Sequence, residues 1–206
     1  MLGDLSKKYE SNGDPGCIST GWGDAGGKSY GMYQLSSNMG IVRDFTSWLI
    51  RRGCWFGDAL AVEPVGSKQF DDTWITLATE HKDEFSRWQH DYIEDLYYDV
   101  AVKALEQNYF NINKHSYTMQ DVIWSRAVQY GPGRIVEMFV EAVNKLGYPN
   151  LSYVDDKRFD ADLIGAIYDV CATPEWTSGS LALREGLYNR FAAEKEEAWK
   201  RLELEK

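Results

Sequence analysis

The chain has few cysteines, few histidines and no long apolar run, and each scarcity removes a class of protein. Its three cysteines, Cys17, Cys54 and Cys171, are an odd number at wide spacings, which gives neither a disulfide framework nor a zinc signature. The three histidines, His81, His90 and His115, are not spaced as paired ligands, so no metal site and no cofactor are expected. No stretch approaches the roughly 18 apolar residues needed to cross a bilayer, and the opening Met-Leu-Gly-Asp-Leu-Ser-Lys-Lys lacks the apolar centre of a signal peptide. Positive charge is also short: 22 Lys and Arg against 32 Asp and Glu give a formal net charge of −10. Arg51-Arg52 and the alternating charges of the last segment are the basic features, which argues against a nucleic-acid footprint. The same acidity opposes contact with an anionic cell wall unless another module holds the chain there.

What is present describes one folded domain over residues 1–206: 44% hydrophobic, 26% charged and long enough for one buried core. Aromatics are abundant, with 8 Trp, 13 Tyr and 8 Phe. They serve core packing and, in carbohydrate clefts, stacking platforms. Beyond about residue 37 the pattern is helical. Ser37 or Asn38 can cap a helix to Arg52 that presents Ile41, Val42, Phe45, Trp48 and Leu49 on one face, with Gly53 ending it. A second helix is expected from Ser67, burying Phe70, Trp74, Leu77 and Ala78. The longest is expected from Asp83 to about Gln107, with Phe85, Trp88, Tyr92, Leu96 and Val100 at intervals of three or four. Later helices are expected to be capped by Thr118, by Asp160 or Asp162, and by Ser178 or Ser180. The predicted fold class is mainly α (α+β).

Residues 11–36 are the exception. Gly13, Gly16, Gly21, Gly23, Gly26, Gly27 and Gly31 crowd this stretch, and each glycine costs a helix about 1 kcal/mol relative to alanine. Tight turns and a small β-hairpin are expected instead, with Tyr30–Leu35 as the strand. Glu10 abuts this stretch at the end of a short helical segment. A carboxyl walled in by a hairpin is partly desolvated, which raises its pKa and suits it to donate a proton. Glycoside cleavage needs such an acid and, where the bond is hydrolysed with inversion, a second carboxylate that activates water.

The segment Glu10-Ser11-Asn12-Gly13-Asp14-Pro15-Gly16-Cys17-Ile18-Ser19 resembles the opening motif of lytic transglycosylases and related lysozymes. Gly31-Met32-Tyr33-Gln34-Leu35-Ser36 is similar to the Gly-Leu-Met-Gln motif that follows it, and Ala127-Val128-Gln129-Tyr130-Gly131-Pro132-Gly133-Arg134 to Ala-Tyr-Asn-Ala-Gly-Pro-Gly-Arg. Gly21-Trp22-Gly23-Asp24 resembles the hairpin of goose-type lysozymes, and the spelling around it looks like lysozyme-like domains of phages and prophages. The resemblance implies a lysozyme-like, two-lobed helical domain with a small β-hairpin beside the active-site cleft. It further implies an endolysin-type glycosidase that cuts the β-1,4 bond between N-acetylmuramic acid and N-acetylglucosamine in peptidoglycan. Lytic transglycosylation, chitosanase activity and a catalytically silent wall-binding or tail module stand as alternatives.

By the same likeness Glu10 is the general acid and Asp24 the carboxylate that assists water. Trp22, Tyr30, Tyr33, Gln34 and Gln129 are the expected substrate-binding residues. Gln34 and Gln129 can equally make structural hydrogen bonds, and Trp22 can equally anchor the hairpin. Asp14 reads as a turn cap before Pro15. The family pattern is broken at Ser36, where a further aspartate is expected, and at Val128, where tyrosine stands. Peptidoglycan strands are the implied partner, with a wall-binding domain separate or missing. Action on the wall without a signal peptide implies phage-type release, carriage on a tail or excision from a larger protein.

Overall fold

A computed structural model of the chain describes residues 2–5, 13–20, 27–177 and 181–205. It is mainly helical, with a small antiparallel sheet. Contacts gather into two compact units, one of residues 7–94 and one of residues 1–6 with 95–206.

The first unit opens on the sheet: β1 (Ile18–Thr20), β2 (Lys28–Tyr30) and β3 (Leu35–Ser36), in the order β1-β2-β3. Ile18 pairs with Tyr30 and Thr20 with Lys28, while Tyr30 pairs with Leu35. The strand expected over Tyr30–Leu35 is therefore two short strands separated by a turn. Gly31 sits at φ +72, and Gln34 at φ +50, so residues 31–34 reverse the chain instead of extending it.

Four helices follow in this unit: α1 (Ile41–Arg51), α2 (Trp55–Leu60), α3 (Lys68–Glu80) and α4 (Lys82–Ile93). The face of α1 is as the spacing predicts, burying Val42, Phe45, Trp48 and Leu49. Its start is not: Gly40 at φ +79 precedes the first turn without a side-chain cap, so neither Ser37 nor Asn38 fills that role. Ser67 does cap α3, its hydroxyl accepting from Phe70 N at 3.1 Å. The core is aromatic. Phe45 lies edge-on to Tyr92 with centroids 5.1 Å apart, Trp74 to Phe85 at 4.9 Å, and Tyr30 to Trp74 at 5.2 Å.

The helix expected from Asp83 to Gln107 is interrupted by a π-helical segment, Glu94–Tyr98, before α5 (Asp99–Gln107). A π turn inserts a residue and rotates everything after it about the axis. That phase shift exposes Leu96 and Val100, expected on the buried stripe, and buries Tyr98, Ala101 and Leu105 in their place.

The second unit is built from α5, α6 (Tyr117–Tyr130), α7 (Ile135–Lys145), α8 (Asp160–Cys171) and α9 (Leu181–Leu204). Helix α6 is buried at every position from Asp121 to Ala127, as befits a helix packed on several sides. Its cap is Ser116, whose hydroxyl accepts from Met119 N at 3.0 Å. Thr118, the expected cap, sits in the first turn and bonds Glu205. Asp160 begins α8 without capping it, because its carboxylate accepts from His115 Nδ1 at 2.6 Å and Ser116 N at 2.7 Å. Ser178 and Ser180 lie outside the described residues.

Candidate functional site

Glu10, Trp22 and Asp24, the two expected carboxylates and the expected stacking aromatic, lie outside the described residues. The structure describes what frames them in sequence. Asp14 Oδ1 accepts from Gly16 N at 2.9 Å, the turn-capping role expected of it. Pro15 O then receives Trp74 Nε1 at 2.8 Å and Gln89 Nε2 at 3.0 Å, which fastens the segment after Glu10 to α3 and α4.

The same two side chains hold the motif Gly31-Met32-Tyr33-Gln34. Gln89 Oε1 accepts from Met32 N at 2.9 Å. A Cβ on Gly31 would stand 2.2 Å from that oxygen and 3.0 Å from the Trp74 ring, so only glycine fits here, by space as well as by φ. Gln34 is engaged within the sheet: its Oε1 accepts from Ser19 Oγ at 2.6 Å, and its Nε2 donates to Gly31 O at 3.0 Å. Its amide thus closes the hairpin on itself.

Tyr30 is fully buried against Phe70 and Trp74, and its hydroxyl donates to Asp71 Oδ1 at 2.5 Å. Burial, reinforced by that carboxylate, pushes its phenol far above the ordinary tyrosine range. Strand alternation turns Tyr30 into the core, so the expectation that it touches substrate is corrected. Tyr33 is part-exposed, its hydroxyl 2.9 Å from His90 Nδ1, while His90 Nε2 is 4.0 Å from Glu94 Oε2. His90 and Glu94 are polar residues that the sequence reading passed over. Their spacing of four at the end of α4, running into the π segment, is the signal that could have found them.

In the second unit, Gly131-Pro132-Gly133 forms a turn, with Gly131 at φ +79 and residues 132–134 in a single 3₁₀ turn before α7. Arg134 lies 4.1 Å above the Trp176 ring, Tyr130 packs edge-on to it at 5.2 Å, and Trp176 Nε1 donates to Glu141 Oε2 at 2.9 Å. Trp176, to which the sequence reading gave no role, is thereby buried at the end of the Gln129–Arg134 motif. Gln129 Oε1 is buried without a protein partner among the described residues.

The chain's start is fixed by a buried carboxylate. Asp121 accepts from Gly3 N at 2.5 Å, Leu5 N at 3.1 Å and Arg201 Nη1 at 3.0 Å. Burial raises its pKa, with the two backbone N–H groups and Arg201 opposing. Trp124 stands 2.9 Å from where a Gly3 Cβ would lie, and Leu5 is fully buried. The segment five residues upstream of Glu10 is therefore docked on α6. Among the described residues no group of three or more His, Cys, Asp or Glu could hold a metal ion.

The family described as type VI secretion system spike protein VgrG3-like, C-terminal, matches residues 2–195, nearly the whole length. The chain belongs to that family. A curated relative, the type VI secretion system spike protein VgrG3 of Vibrio cholerae serotype O1, is 33% identical over 183 residues. The match takes in 86% of this chain and 17% of that spike protein's own length. Membership in the spike family corrects the endolysin-type identification and the peptidoglycan muramidase function drawn from it. It also corrects the phage and bacteriolytic character that went with them. The motif likeness rested on short runs rich in glycine and turn residues, which tight turns demand in unrelated chains. The spike-family match spans the helices between those runs as well. Among the described residues no helix is long and apolar enough to cross a membrane.

Proposed function

We propose that this spike-family domain is an effector module, exported as part of a type VI secretion spike, and that it is a glycoside hydrolase acting on envelope glycan. The observation that carries the reading is the extent of the family match. It runs through the Glu10 segment, the hairpin, α6 and the Gly131–Arg134 turn, and stops inside α9. It occupies a small fraction of the Vibrio spike protein, the relation expected of a module joined to a carrier. Delivery by the spike belongs to this proposal.

The site residues are assigned on the same terms. Glu10 and Asp24 are its catalytic carboxylates, and Trp22, Tyr33 and Gln129 its substrate contacts. Supporting the assignment, the backbone that follows Glu10 in sequence is pinned at Pro15 by Trp74 and Gln89. An acid must be held within a fraction of an ångström to donate in line with a leaving oxygen.

Reducing-end release from purified peptidoglycan and from chitosan tests the enzymatic half. Glu10→Gln is expected to cost about 10²–10⁴ in rate with the fold intact. No release from either polymer by the unmodified chain would sink the hydrolase reading. Equal amounts of the spike protein outside cells with intact and disabled secretion systems would sink the export reading.

A further inference from the structure

Helix α5 ends in a tight cap in which Phe110 N donates to Leu105 O at 3.0 Å and Tyr109 N to Glu106 O at 3.1 Å. This pair of bonds requires a left-handed residue between helix and exit, a place that glycine normally fills. The chain uses glycine there after α1, where Gly53 has φ +69 and Cys54 N donates to Leu49 O. It does so again after α7, where Gly147 has φ +86 and Tyr148 N donates to Val143 O. After α5 the residue is Tyr109, at φ +67. A bulky side chain is strained in that conformation, and Tyr109 recovers nothing by burial, since the residue is 76% exposed. Folding does not need this ring.

Beside it lies a groove of about 330 Å³ lined by Asn108, Tyr109, Val140, Asn150, Leu151 and Ser152. None of these residues is Asp, Glu, Lys, Arg or His, in a chain that is 26% charged. Asn108 Nδ2 is spent on Ala104 O, which leaves its carbonyl oxygen to accept. Asn150 Oδ1 is spent on Ser152 N and Oγ, which leaves its amide protons to donate. An exposed ring, an amide acceptor, an amide donor and the half-buried Val140 match the faces of an N-acetylated sugar: its C–H face, its acetamido N–H and C=O, and its methyl.

We propose that Tyr109 and this groove form a binding subsite for a neutral N-acetylhexosamine unit of a glycan chain. The ring acts as the stacking platform and the amides of Asn108 and Asn150 read the acetamido group. This subsite rests on the reading of the domain as one that acts on envelope glycan.

The test is an NMR titration of the 206-residue chain carrying Glu10→Gln, with an N-acetylglucosamine tetramer as probe and dextran as the acetamido-free control. Tetramer-induced shifts are expected at the backbone and amide signals of Asn108, Tyr109 and Asn150, with none from dextran. Tyr109→Gly is expected to weaken the response at Asn108 and Asn150 about tenfold while raising Tm by about 2–4 °C, because glycine relieves the strain. Tyr109→Phe keeps the ring and is expected to bind as the parent does. Unchanged binding in Tyr109→Gly, shifts confined to other residues, or equal shifts from dextran would each overturn the subsite. Failure of the parent chain to release reducing ends, with these shifts present, would remove the hydrolase reading and leave the subsite standing.

Discussion

Replacing Glu194 by alanine is expected to destabilise the second unit more than any exposed change in the chain. Its carboxylate is fully buried and accepts from four groups: Arg126 Nη2 at 2.5 Å, Ser125 Oγ at 3.0 Å, Tyr168 OH at 3.1 Å and Arg190 Nε at 2.7 Å. Arg126 is itself fully buried, with its guanidinium over the Tyr168 and Phe191 rings. Burial works against its charge, but Glu194 together with Tyr168 and Cys171 outweighs burial and holds its pKa above the ordinary arginine value. Removing the acid strands that cation in the core, which costs about 3–5 kcal/mol. For a chain of this size that lowers Tm by roughly 6–20 °C. Glu194→Gln keeps the volume but loses the charge and turns one accepting oxygen into a donor, so a similar loss would assign the effect to charge and hydrogen bonding and not to a cavity. The double variant Arg126→Met/Glu194→Leu is expected to recover most of the stability. Urea unfolding by near-UV circular dichroism measures all three, with hydrogen exchange in α6 reporting on this unit alone. A loss below about 1 kcal/mol in Glu194→Ala, the scale of an exposed pair, would refute the reasoning.

Gly31→Ala is expected to cost more than about 2 kcal/mol, since the new Cβ meets Gln89 and Trp74 at a positive φ; a Tm unchanged within 2 °C would contradict the packing described. Asp121→Ala leaves Gly3 N and Leu5 N without their acceptor, at about 1–3 kcal/mol. Amide exchange at residues 3–5 should then rise. In acid, two carboxylates with lowered pKa, Glu194 and Asp155, contribute to stability. For Glu194, burial raises the pKa, but Arg126 and Arg190 outweigh it and hold the group below its ordinary 4.5. For Asp155, burial is likewise outweighed by Lys114 and Asn111 N, which hold it below 3.8. A depressed folded pKa contributes stability above the unfolded value and loses it as pH falls through the folded one. Tm should therefore hold down to about pH 4.5 on their account and drop below it. Substituting Glu194 should remove much of that drop.

Much of the helical framework was legible because it depends on local rules. The three-to-four spacing of Phe70, Trp74 and Leu77 and the hydroxyl of Ser67 specify α3 without reference to the rest of the chain. What escaped depends on distant partners. The π segment at Glu94–Tyr98 shifts the buried stripe away from Leu96 and Val100, and periodicity cannot show an inserted residue. Asp160 looks like a cap but is claimed by His115 and Ser116. Tyr30 and Gln34 carry chemically suitable groups, yet one is spent in the aromatic core and the other on closing the sheet.

By itself the sequence determined a mainly helical, acidic chain with one glycine-rich stretch bent into a small sheet, because composition, periodicity and turn chemistry act over a few residues. The tertiary structure decided which polar side chains are consumed internally: Gln89 on Pro15 and Met32, Asp121 on the chain's start, and Glu194 on Arg126. It also decided that Tyr109 is held strained and exposed beside a neutral groove. Those outcomes turn on residues tens of positions apart, whose desolvation and hydrogen bonding are settled only when the helices pack.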